Sequence, residues 1–262
     1  YSLYYAGQTA FYFAIGVLVY GLLVFPTDDV QAPGWWTNFA KNNDFKLTFL
    51  LAAFAIAMFV FFKTAISGGI SLPTIMDEGS YGLKGLLFTS GKYTPFQDYG
   101  PWTNKMPLSF LLPGYIQQIF GHGLQVLRSA SFGLMLVMMI LLFLTGNSIW
   151  PKYGGVLAVL FFGLNPAIDN FYSLANSQVY TATLLMVSAY FVFGRSQSLW
   201  DFTLANIFAA ISVLTRENIA PYFLLLNLYF IWKMGFRKSL PILASGAAIF
   251  ILGHLAFQII IV

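Results

Sequence analysis

The stretch LPILASGAAIFILGHLAFQIIIV, residues 240–262, carries no charged side chain apart from the titratable ring of His254. A helix rises about 1.5 Å per residue, so a run of this length crosses a hydrocarbon core of roughly 30 Å. A second run, LYYAGQTAFYFAIGVLVYGLLVF at residues 3–25, contains no charge at all. It lacks a basic leading region and a small-residue cleavage site, so it reads as a crossing and not as a signal peptide. The whole chain of 262 residues is 58% hydrophobic and 8% charged, whereas a soluble domain is about 25% charged. Lipid is therefore the expected solvent. The net charge of +4 is scattered, with no basic run interleaved with aromatics, which excludes a nucleic-acid partner. The absence of cysteine removes disulfides and thiolate metal sites. The chain has no initiator Met and stops inside an apolar stretch, so it reads as the front part of a longer protein.

Further apolar runs predict crossings near 47–70, 129–145, 153–168, 179–194, 199–214 and 219–232. The fold class expected is thus all-α, a polytopic transmembrane bundle of about seven or eight crossings. Residues 1–46 form an extra leading helix and a cytoplasmic loop, and residues 47–262 form the main module. The longest polar interruption, from Ser71 to about Arg128, contains IMDEGSYGLKGLLFTSGKYTPFQDYGPWTNKMPLSF and then LLPGYIQQIFGHGLQVLR. Within it Leu108–Phe120 is apolar but reaches only about 20 Å as a helix. With Pro113, Gln117 and Gln118 inside it, it is expected to lie in the interface. Placing this loop outside puts Lys41, Lys46, Lys152, Arg195, Lys233, Arg237 and Lys238 inside. Lys84, Lys92, Lys105, Arg128 and Arg216 then fall outside, with Lys63 near the outer end of a crossing. The cluster Lys233, Arg237 and Lys238 sits in a short loop, where the positive-inside rule weighs most. One long kinked helix over 199–232 would reverse that cluster, and two crossings with an external turn at Thr215–Asn218 are preferred.

Several polar residues are candidates for chemistry. Asp77 and Glu78 follow the crossing 47–70 at its outer mouth, where desolvation raises a carboxylate's proton affinity and suits a general base. Acids in a first helical turn also simply suit the macrodipole. Lys105, Arg128 and Arg216 are three external cations that suit a lipid phosphate, although single cations near a membrane often only reach for water. Arg216 stands out because its TREN segment lies between apolar flanks, with Glu217 as an available neutraliser. Asp98 and Asp169 are further external acids, equally compatible with turns. His122 and His254 are isolated, no Asp-x-Asp occurs, and neither a phosphate-cradling loop nor a serine nucleophile elbow is present, so no metal is expected.

Read in order, Asp77-Glu78, Tyr81, Gly91, Lys92-Tyr93, Lys105-Met106-Pro107-Leu108, Phe120-Gly121 and Arg128 resemble the signature of GT-C membrane glycosyltransferases. The likeness is to those related to protein O-mannosyltransferases and to the aminoarabinose transferase of lipid A, and it covers roughly residues 47–232. The resemblance implies a plasma-membrane enzyme, or one of an equivalent inner membrane. It would move a sugar from a polyprenyl-phosphate carrier, as co-substrate, to an acceptor hydroxyl on the external side, with inversion and without another cofactor. It places Asp77 as the base with Glu78 beside it. Lys105 and Arg128 would hold the carrier phosphate, Asp169 would stand near a later external acid, and Tyr81 and Asp98 would lie in the same site. Met106 departs from the pattern by replacing the first of two prolines, and the helix at 3–25 is extra. Partners expected are membrane lipid, the carrier-linked sugar and further membrane subunits. The alternative is a catalytically silent GT-C-like scaffold subunit. A transporter ranks third, because the charges sit at the external edge and not at mid-membrane depth.

Overall fold

The computed structural model describes residues 62–94, 106–151 and 153–260, together with Tyr99 and a few positions between 52 and 59. The expected crossing at 3–25, the loop up to residue 46, Asp98 and Lys105 lie outside the described residues. Their regular structure is entirely helical, without strands among the described residues.

Residues 62–71 are helical and end ahead of Pro73. Helix α1, Met76–Thr89, then starts with Asp77 and Glu78 in its first turn, where negative charge favours the positive end of the peptide dipoles. Glu78 also reaches back to accept the Ile75 N–H at 3.3 Å, half of a capping box. Helix α2 is Leu108–Phe120. It ends at Gly121 and Gly123, whose φ values of +103° and +123° are reached cheaply only by glycine. This turn launches α3, Leu124–Ile149. The chain continues through α4, Gly154–Gly163, and α5, Pro166–Ser173, then α6, Ser177–Phe193, and α7, Leu199–Thr215. At the start of α7 the Ser198 hydroxyl accepts from the Asp201 N–H while Asp201 accepts from the Ser198 N–H at 3.0 Å. Arg216 is extended and is followed by a 3-10 turn, Glu217–Ile219. Helix α8 is Ala220–Met234, and α9 is Phe236–Ile260.

The helix ends sort into two groups. At one end, Arg128 in α3, Ala175 before α6 and Glu78 in α1 meet through hydrogen bonds. Thr215 at the end of α7 meets Ser109 in α2, and Phe257 of α9 packs 5.6 Å from the Phe88 ring of α1. At the other end, Ser148 of α3 donates to Gly194 after α6. Lys233 of α8 bonds Gln197 ahead of α7 and lies 5.0 Å from the Phe202 ring. Helix α8 therefore folds back along α7, and the long kinked helix does not form. The break at Arg216 makes a hairpin, as expected.

The crossing expected at 153–168 is not one continuous helix. Two short helices meet at Asn165–Pro166, where proline suits a first helical position and bars continuation. Together they return the chain from the far end of α3 to Ala175. Helix α3 extends beyond the expected 129–145 at both ends, and α8 runs over 220–234.

Helix α7 lies at the centre, packed against α6 and α9. Ala205 and Ala209 are fully buried there, and small residues let helices approach closely in apolar surroundings. Ser188 of α6 donates to the Ala205 carbonyl at 2.8 Å and Asn206 donates to the Ile242 carbonyl of α9 at 2.7 Å. Among the described residues, two helices, Leu124–Ile149 and Phe236–Phe257, are long and apolar enough to cross a membrane. Their outward residues, among them Ile140, Ile251 and Leu252, are uncovered by protein.

Candidate functional site

The acid pair at the start of α1 divides its work. Glu78 is 1% exposed and Arg128 is 4% exposed. Arg128 Nε donates to Glu78 Oε1 at 2.9 Å and Nη2 donates to Oε2 at 2.8 Å, a bidentate pair. Arg128 Nη1 donates to the carbonyls of Gly69 and Leu72, both at 2.9 Å, and Nη2 also to that of Pro73 at 3.4 Å. Glu78 Oε1 accepts in addition from the Ala175 N–H at 2.7 Å, and Oε2 from Ile75. All five guanidinium N–H groups and the four lone-pair sites of the carboxylate are thereby engaged. Burial alone pushes the Glu78 carboxyl up, but hydrogen bonds from Arg128, Ala175 and Ile75 outweigh it and hold the group below its usual range. In this arrangement neither Glu78 nor Arg128 has hydrogen-bonding capacity left for a substrate. They form a hub joining residues 69–73, α1, α3 and the start of α6.

Asp77 stands next to that hub with its side chain half-buried. Among the described residues its carboxylate has no hydrogen bond or ion pair. Tyr81, one turn on, is 8% exposed, and its ring packs 5.5 Å from Phe110 in a cluster with Phe88, Leu111 and Phe257. Its ring serves the α1–α2 core. That pairing is tight, because a Cβ on Gly85 would lie 2.5 Å from the Phe110 carbonyl oxygen and 2.9 Å from the Gly114 nitrogen. Gln117, expected as a polar element of an interfacial helix, is buried and donates to the Gly82 carbonyl at 2.8 Å.

Arg216 joins the same end of the bundle through its neighbour. Thr215 accepts at its carbonyl from Ser109 Oγ at 2.5 Å, and its hydroxyl shares a 2.7 Å hydrogen bond with Thr181. Ser109 opens the helix that begins just after Lys105-Met106-Pro107. The guanidinium of Arg216 has a buried Nη1 without a partner among the described residues. The start of α6 adds Asn176 Oδ1, Ser177 Oγ, Gln178 Oε1 and Tyr180 Oη, buried and equally unpartnered. These polar atoms were not singled out from the sequence, where Asn, Ser and Gln beside a helix start look like ordinary turn residues. Asp169 lies on α5. A cavity of about 260 Å³ opens beside the hub, lined by Gly69, Gln125, Arg128, Tyr172 and Ser173 among others.

The model of the dolichyl-phosphate-mannose-protein mannosyltransferase family matches residues 104–257, more than half of the chain. The chain belongs to this family. It is a membrane protein of the GT-C glycosyltransferase type. The mannosyltransferase-family match includes Lys105, Arg128, Asp169 and Arg216, while Asp77, Glu78, Tyr81 and Asp98 lie upstream of it. No curated protein and no solved structure matches the chain.

Proposed function

We propose that this chain transfers a sugar from a polyprenyl-phosphate carrier to an acceptor hydroxyl at the external membrane face, with Asp77 as general base. The observation that carries the reading is the contrast between adjacent acids. Glu78 is saturated by Arg128 and two backbone N–H groups, whereas Asp77, held on the same helical turn, keeps its carboxylate unengaged among the described residues. In this reading Glu78 and Arg128 are positioning residues. They fix the turn that presents Asp77, since a catalytic group must be held to a fraction of an ångström.

In the step itself, Asp77 takes the proton of the acceptor hydroxyl. The acceptor oxygen bonds to the anomeric carbon from the face opposite the phosphate, and the bond from that carbon to the phosphate oxygen breaks. The electron pair leaves with the polyprenyl phosphate, and the configuration inverts. Arg216, with its unpartnered buried Nη1, and Lys105 stabilise that developing charge. The unpartnered groups of Asn176, Ser177, Gln178 and Tyr180 supply the polar lining that a sugar needs. The family match supports a lipid-linked sugar donor.

The test is transfer from polyprenyl-phosphate mannose to a hydroxyl acceptor by the full-length protein in membranes. Asp77→Asn should lower the rate by about 10²–10⁴-fold, the usual worth of a general base, while carrier binding persists. Normal transfer by Asp77→Asn removes the assignment. Absence of transfer by the wild type, with purification in fixed stoichiometry beside other subunits, favours the scaffold reading.

A further inference from the structure

The end of the bundle opposite Asp77 carries a surface that the transfer reaction leaves unused. Lys233 lies in the last turn of α8, and Arg237 and Lys238 open α9. Lys233 is turned toward the protein, donating to Gln197 and to the Tyr229 hydroxyl and lying over the Phe202 ring. Arg237 and Lys238 are exposed and have no partner among the described residues. The described acid at this end, Asp201, is 4% exposed and is closed around Ser196, Ser198 and Arg195. The other described acids, Asp77, Glu78, Asp169 and Glu217, belong to elements at or leading to the Asp77 end. Among the described residues, no acid therefore neutralises the positive charge of Arg237 and Lys238.

The elements at this end also carry exposed large rings. Trp232 is 82% exposed and Phe236 61%, and Trp200 at the start of α7 is 77% exposed. Leu228 of α8 and Leu240 of α9 lie exposed on the adjoining apolar shafts. Apolar shaft, exposed indole and free cation thus follow one another along the helix direction. A bilayer leaflet offers the complementary sequence of acyl chain, interface and phosphate.

We propose that Arg237 and Lys238, with Trp232 beside them, form a binding site for the headgroup of an anionic phospholipid in the leaflet at this end. A free phosphate would satisfy the cations and leave the exposed rings and leucines unmatched, whereas a phospholipid meets both. A zwitterionic headgroup carries its own cation and gains little from two more.

The test uses the full chain in detergent micelles and follows quenching of its tryptophan fluorescence by brominated phosphatidylglycerol or brominated phosphatidylcholine. The wild type should bind phosphatidylglycerol at least about tenfold more tightly, with the preference shrinking as salt is raised. Each basic residue at an anionic surface contributes about a factor of five, the equivalent of about 1 kcal/mol. The double variant Arg237→Gln/Lys238→Gln should therefore lose about 30-fold in phosphatidylglycerol affinity and keep its phosphatidylcholine affinity. Lys92→Gln, a charge removed from an exposed position at the opposite end, should change neither. Equal wild-type affinity for the two lipids overturns the proposal, as does an unchanged double variant or an equal loss in Lys92→Gln. Displacement of phosphatidylglycerol by an equal concentration of glycerol 1-phosphate would reassign the site to free anions and also overturn it. Should the double variant fail to fold, the lipid preference of the wild type and its salt dependence decide the matter.

Discussion

A buried carboxylate with four hydrogen-bond donors behaves differently from one that waits for a substrate, and Glu78 and Asp77 present both cases on adjacent residues. Removing one partner of a buried ion pair leaves the other charge uncompensated, at a cost of about 3–5 kcal/mol. Glu78→Ala and Arg128→Ala should each lower thermal stability by that order. Asp77→Asn should leave the melting temperature within error of the wild type. The pair also has a pH signature. The Glu78 carboxyl is depressed in the folded protein, so its stabilisation is complete above the unfolded-state value of about 4.3 and is lost as pH falls through the lower folded one. A melting-temperature series from pH 6 downward should decline in the wild type, and Glu78→Gln should lack that component of the decline.

Among the elements, α1 and α2 meet backbone to backbone at Gly85 and Gly114, and this contact sets where the Asp77 turn sits against Ser109. Gly85→Ala should force the helices apart and cost about 1–3 kcal/mol, the usual range for overpacking. Gly133→Ala in α3 meets nothing within 4 Å and should be neutral or stabilise by about 0.5–1 kcal/mol through helix propensity. Comparing the two melting temperatures separates close packing from propensity. The bounds of α2 and the hairpin at Arg216 were legible in the sequence, because a short apolar run and a charged break leave local marks. The split at Asn165–Pro166 was marked too, yet the apolar run before it, continued by Ala167 and Ile168, hid it. The Glu78–Arg128 pair left no such mark, since the two residues lie 50 positions apart and each looks like an ordinary charge at a helix start. Only the resemblance set them in one signature, and it could not tell which acid would be consumed by the fold. Gln117 shows the converse, a polar residue expected at a lipid interface that instead fastens α2 to α1.

For the whole molecule, the alternation of helix ends predicts where each surface lies relative to the membrane. The chain has no native cysteine, so single cysteines report cleanly. Lys92→Cys should react with an impermeant thiol reagent in intact cells, and Lys238→Cys only after the membrane is opened. The reverse pattern would place the Asp77 end in the cytoplasm and exclude an external donor site. The hub around Glu78 bears on a different process, the order in which the protein is assembled as it is made. Its donors come from Ile75, Arg128 and Ala175, so the last of them emerges from the ribosome long after the carboxylate. Until α3, α4 and α5 have been inserted, the acid lacks a backbone donor that its burial relies on. The start of α1 therefore cannot settle early, and a nascent chain arrested before Ala175 exposes an incompletely satisfied charge that marks it as unfinished.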